Sequence, residues 1–197
     1  MARARRTPEA RRADLVGAAR VLFLERGVDA TSIEDITRAA GVAHGTFYLY
    51  FKTKDDAVNA AVAQMAGELV ERVSAAGDAD APAGEKLTAI REALVGLSGL
   101  AVGADDLIAH YHGPEHREVH DRLSHEVNRQ LVPVIAAIIE QGVAEGVFDV
   151  GNPRAAAAFV LAAAEGLDLL ATSGTLDAGT ADALMSFVMR GLGRCDS

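Results

Sequence analysis

Between Thr31 and Phe51 the chain reads TSIEDITRAAGVAHGTFYLYF, and no other stretch leaves so little choice of structure. Ser32 can accept a hydrogen bond from a backbone N–H at a helix start. Asp35, three residues later, completes a Ser-x-x-Asp capping box, so a helix begins here. Ile36, Ala39 and Ala40 give that helix an apolar face. Gly41 stands where the helix must stop and reverse, because glycine takes positive φ without a Cβ penalty, and the apolar Val42 can plug the turn. A second helix restarts at once over Ala43 to Phe51. Phe47 and Phe51, at i and i+4, form its inner side, with His44, Gly45, Thr46, Tyr48 and Leu49 spread over the rest. Two short helices joined by a glycine turn make a helix-turn-helix.

The flanks supply the support such a motif needs. Thr7 can cap a helix, Pro8 suits its first position and Glu9 meets its positive end. That helix should run to about Arg26, with Leu15, Ala18, Ala19, Leu22 and Phe23 as the stripe that packs under the motif, and Gly27 should stop it. Arg3, Arg5 and Arg6 precede it in a charged arm able to lie along phosphates. Downstream, Thr53 and Asp56 form another capping box, with the acidic pair Asp55-Asp56 in the first turn of a long helix reaching about Ala76.

A helix-turn-helix places its second helix in the DNA major groove, and the charge distribution agrees. The whole chain carries −9, yet residues 1–54 hold 10 Lys/Arg against 6 Asp/Glu, and the remainder is strongly acidic. A basic head on an acidic body suits a protein that touches DNA with one end only.

The run Ile33 to Val58, with Ile36, Ala39-Ala40-Gly41-Val42, Gly45-Thr46-Phe47-Tyr48, Tyr50-Phe51, Lys52 and Lys54, resembles the DNA-binding signature of TetR-family transcriptional repressors. The resemblance implies an all-α fold of about nine helices. Residues 1–54 would form a three-helix DNA-binding head, and residues 55–197 a helical effector-binding and dimerisation domain. It further implies a homodimer on a palindromic operator, released by a small molecule. Carried over by motif position, Ala43 to Tyr50 enter the major groove. Thr46 and His44 meet base edges, Gly45 lets the backbone approach, and Tyr48, Ser32 and Lys54 hold phosphates. Family architecture puts an effector pocket near Met65, Leu94, His110, Tyr111 and Asn128. Few charged residues on the inward faces favour a mainly apolar effector.

The body reads as helices throughout. Gly77 to Gly84 is a loop, and a helix follows from about Glu85 to Val102 with Leu87, Ile90 and Leu94 on its buried side. Another runs from about Glu115 through Leu131, Val134, Ile135, Ile138 and Ile139 to Ala144. Pro133 should kink it and Gly146 should end it. Pro153 opens a helix beginning AAAAFVLAAA, which is apolar on every side and asks to be covered all round. A chain of 197 residues can hardly cover it alone. Ala156, Phe159, Val160 and Ala163 here, with Leu184, Phe187 and Val188 in a last helix from about Asp177 to Leu192, should therefore form a four-helix dimer interface.

Five of the six histidines, His110, His112, His116, His120 and His125, fall between Asp105 and His125. His116 and His120 at i and i+4 can bind Zn²⁺ or Ni²⁺, with Glu115 or His112 as further ligands, which makes a metal-responsive regulator a second reading. The plainer one is a solvated helix face, since Arg117, Glu118, Asp121 and Arg122 surround them. An enzyme using histidine acid–base chemistry belongs to another class. It finds no nucleophile elbow, phosphate loop or His-Glu-x-x-His, so neither catalysis nor a cofactor is expected. Cys195, the single cysteine, allows no intrachain disulfide. The uncharged run Ala93 to Ala104 has 12 residues, against the roughly 18 to 20 a membrane span needs. The arginine-rich start lacks a signal peptide's apolar core, so a cytoplasmic location is expected.

Overall fold

The structure, a computed structural model, describes residues 7–98, 107, 110, 111, 113, 116–172 and 178–193, without the side chains of 94–98, 165–172, 178, 180 and 181. The described residues are helical, with no strand among them. Among the described residues eight helices follow one another: α1 (Pro8–Arg26), α2 (Ile33–Ala39), α3 (His44–Phe47), α4 (Lys54–Asp78), α5 (Ala83–Ser98), α6 (Arg117–Ala144), α7 (Pro153–Thr172) and α8 (Ala178–Gly191). The short helix that the sequence suggests before the Gly113-Pro114 break falls largely outside the described residues.

Local signals set most helix ends. Thr7 Oγ1 accepts from Ala10 N at 3.2 Å, with Pro8 in the first turn. Asp56 N donates to Thr53 Oγ1 at 3.1 Å and Thr53 N to the Asp56 carboxylate at 3.0 Å, so the second capping box closes in both directions. Gly41 and Gly146 take φ of 65° and 73°. At each, the N–H two residues past the helical cap returns to a carbonyl in the last turn: Val42 N to Thr37 O and Val147 N to Gly142 O, both at 2.9 Å. These are Schellman closures, the expected use of a terminal glycine.

The chain divides into two compact units, one comprising 1–65 and 100–119 and the other 66–99 and 120–197. In the first, Leu15, Leu22 and Phe23 of α1 are buried with Ile36, Phe47 and Phe51, so the predicted stripe does underlie the helix-turn-helix. In the second, Leu131, Ile135, Ile138 and Ile139 of α6 join Phe148, Leu161 and Leu192 in a core.

Two boundaries differ from the sequence reading. The helix expected over 43–51 lasts a single turn. Leu49 N and Tyr50 N bond to Thr46 O and Phe47 O in the tighter i to i+3 pattern, and the Asp56 carboxylate then takes Lys52 N at 2.8 Å. The loop expected from Gly77 is shorter, because α4 continues to Asp78 and α5 begins at Ala83. Gly77 serves close packing instead, since a Cβ there would lie 2.7 Å from Val134 Cγ1. Pro133 sits inside α6, where the sequence reading placed it.

Candidate nucleic-acid interface

The reading edge is built on two buried rings. Phe47 and Phe51 are tilted against each other at 5.3 Å between centroids, and the Arg12 guanidinium lies 5.2 Å over Phe51. With those rings turned inward, the other side chains of 43–49 must point out. Ala43, His44, Gly45, Tyr48 and Leu49 are exposed and Thr46 is half-buried. His44 and Tyr48 meet edge to face at 5.6 Å, which holds two exposed aromatic groups in a fixed relation. A Cβ at Gly45 would meet nothing within 4 Å, so packing among the described residues does not require this glycine.

The capping residues are engaged within the head. Asp35 N donates to Ser32 Oγ at 3.1 Å, Ser32 N donates to Asp35 Oδ2 at 3.1 Å, and the Ser32 hydroxyl donates to that same oxygen at 2.6 Å. Hydrogen bonds from the Ser32 side chain and backbone hold the Asp35 carboxyl below its ordinary range, with Arg26 and Arg38 adding to the effect. Arg38 itself is tied to Glu34 at 2.7 Å and Asp35 at 3.0 Å. Lys54 Nζ donates to two backbone carbonyls, of Val28 and Thr31. Two of the seven residues assigned to DNA by sequence, Ser32 and Lys54, are therefore also structural ties within the head.

Leu49 was outside that set, yet at 78% exposure it is the most exposed large apolar side chain among the described residues. Its signal in the sequence is an apolar residue on the face opposite Phe47 and Phe51.

The residues named for the effector pocket are divided between the two units. Met65, His110 and Tyr111 belong to the first unit, Leu94 and Asn128 to the second, and the side chain of Leu94 lies outside those described. Within the second unit a cavity of about 590 Å³ has a different wall, including Leu87, Phe148, Met185 and Met189 with Glu85 and Glu92. The residues expected at a dimer interface differ in burial. Phe159 and Phe187 are 73% and 63% exposed, Ala156, Val160, Ala163 and Leu184 are half-buried, and Val188 lies within the unit's own core. His120 Nδ1 lies 3.4 Å from Asp121 on its own helix, and His125 is exposed. His112 and Glu115 lie outside the described residues. No helix among the described residues is long and apolar enough to cross a membrane.

Residues 15–61, which contain this edge and its support, match the family described as bacterial regulatory proteins, tetR family. The HTH-type transcriptional repressor KstR2 of Rhodococcus jostii is 28% identical over 145 residues, 70% of this chain and 68% of that protein. The fatty acid metabolism regulator protein of Bacillus subtilis is 34% identical over 76 residues, 39% of each chain. Among solved structures, a TetR-family transcriptional regulator from Agrobacterium tumefaciens superposes with a TM-score of 0.69 at 23% identity, covering 94% of this chain and 99% of that one. One from Pectobacterium atrosepticum gives 0.67 at 24%, covering 95% and 94%. The matched head, the regulator relatives and the shared all-helical fold support a TetR-family transcriptional regulator.

Proposed function

We propose that the chain is a ligand-responsive repressor acting in the cytoplasm, binding a palindromic operator as a homodimer. The observation that carries this reading is the outward edge of 43–49. Polar and aromatic side chains stand over fully buried Phe47, beside a glycine whose missing side chain leaves open space. His44 and Thr46 then meet base edges, Gly45 admits the sugar-phosphate backbone, and Tyr48 and Ser32 take phosphates. An ammonium has three protons. Lys54 directs two at carbonyls and keeps one for a phosphate.

Exposed Phe159 and Phe187 support the homodimer, because large apolar side chains left in water by one subunit mark a surface for another. A two-fold dimer presents two identical edges, which a palindrome matches. The effector is a mainly apolar small molecule, a reading supported by the Leu87, Phe148, Met185 and Met189 wall. It releases DNA only by binding two states of the dimer unequally.

The test is a gel shift and footprint on the palindrome beside the protein's own gene. Expected are two protected half-sites roughly 10 base pairs or a multiple apart, centre to centre, and affinity that falls steeply with salt. No retardation at low salt would overturn the reading.

A further inference from the structure

Asp55, His110 and His116 converge within the first unit, and the atoms they can offer a metal lie within 4.8 Å of one another. Asp55 Oδ1 and His110 Nε2 are 3.2 Å apart. The His110 and His116 rings are 5.2 Å apart with 37° between their planes. Chain neighbourhood does not explain the grouping, since Asp55 comes from the first turn of α4 and the imidazoles from a segment more than fifty residues later.

We propose that these three side chains bind one divalent transition-metal ion of the Zn²⁺ or Ni²⁺ class, fastening His110 and His116 to the first turn of α4. Two imidazoles and one carboxylate are a borderline donor set. Hard Mg²⁺ and Ca²⁺ prefer oxygen alone, and Cu(I) and iron–sulfur clusters prefer thiolates. Tetrahedral bonds near 2.1 Å put donor atoms about 3.4 Å apart. The Asp55–His110 separation is therefore already that of two ligands on one ion, and small side-chain rotations bring in the third. Exposure is graded across the set: His116 is buried, His110 is a quarter exposed and Asp55 about half exposed. An ion enters past Asp55 and finishes against His116, with the remaining position open to water, as in a three-ligand site. An ion pair between Asp55 and His110 accounts for two of the residues. It does not call for a second imidazole stacked behind the first.

The site adjoins the reader through one residue. Lys54, beside Asp55, holds the Val28 and Thr31 carbonyls that lead into α2. Occupation fixes the turn of α4 that anchors the helix-turn-helix, and so changes operator affinity. This regulatory half rests on the repressor reading above, whereas the metal site does not.

The experiment uses the full-length protein, without a histidine tag and stripped by a chelator. It is titrated with Co²⁺ followed by its visible absorption, and with Zn²⁺ in competition with a chromophoric chelator. One ion per chain is expected. Affinity should fall about tenfold or more in Asp55→Asn and in His110→Gln, and stay unchanged in His125→Gln, with circular dichroism checking that each variant is folded. Absence of saturable binding, or equal affinity in Asp55→Asn and His110→Gln, overturns the site. Operator affinity is then measured with and without Zn²⁺, where a change of about fivefold or more is expected in the wild type and none in Asp55→Asn. Stoichiometric binding with unmoved operator affinity overturns the regulatory half. Failure to bind operator in either state overturns the repressor reading and leaves the metal result standing.

Discussion

Lys54 Nζ donates to the carbonyl of Val28 at 2.8 Å, reaching back 26 residues from the first turn of α4 to the turn that precedes α2. A second bond, to Thr31 O at 3.3 Å, ends at the residue before the Ser32 cap. The side chain that the family resemblance assigns to a phosphate therefore also fixes where the first helix of the motif begins.

Lys54→Met keeps the aliphatic stem and removes the ammonium, leaving two carbonyls without their charged donor. The head should lose about 1–3 kcal/mol, read as a lower melting temperature in the absence of DNA. Unchanged melting with weakened operator binding would reduce Lys54 to a phosphate contact.

Gly142 carries no side chain because Phe148 occupies the space, a Cβ at that position coming 2.0 Å from the ring. Gly142→Ala should destabilise the second unit by about 1–3 kcal/mol through overpacking. Gly67, in the exposed middle of α4, meets nothing within 4 Å. Gly67→Ala should stabilise by up to about 1 kcal/mol, since alanine is the better helix former. Urea unfolding of both variants checks the opposite signs.

The Ser32–Asp35 box predicts a dependence on acid. Its hydrogen bonds favour the Asp35 carboxylate and hold its folded pKa below the unfolded one. The stabilisation is thus fully present above the unfolded value and is lost as pH falls through the folded value. Asp35→Asn should melt lower than the wild type at neutral pH, and the gap should close in acid. A gap that is constant down to the acid range would show that the carboxylate charge is not what the box uses.

Phe159 and Phe187 contribute little to the core of their own chain, so Phe159→Ser with Phe187→Ser should leave each subunit folded while the dimer separates. Analytical ultracentrifugation should show monomer. Operator affinity should drop about a hundredfold or more as the paired engagement of two half-sites is lost. Dimer persisting at micromolar concentration would place the interface elsewhere.

Features written in neighbouring residues were legible in the sequence. The Ser32–Asp35 and Thr53–Asp56 boxes, Pro8, Gly41 and Gly146 each act within a few positions, and each does what its spacing implied. Features settled by residues far along the chain were not. α3 stops short partly because a carboxylate from the next helix takes Lys52 N. Gly77 looks like a turn but lies under Val134. Helical spacing paired His116 with His120, whereas folding sets it beside His110 and Asp55. In the last helix, one residue of register separates exposed Phe187 from buried Val188, and an apolar sequence on both sides gives no means of telling them apart.

A single turn of helix has almost no tendency to form by itself in water. The four residues of α3 hold their shape because Phe47 and Phe51 are clamped from beneath, so a peptide cut from this edge would be shapeless. In a genetic screen, lesions at Leu15 or Phe23, which never face the double helix, would score as failures of promoter recognition. A softening of this interior should therefore show first at the edge, which has no stability of its own.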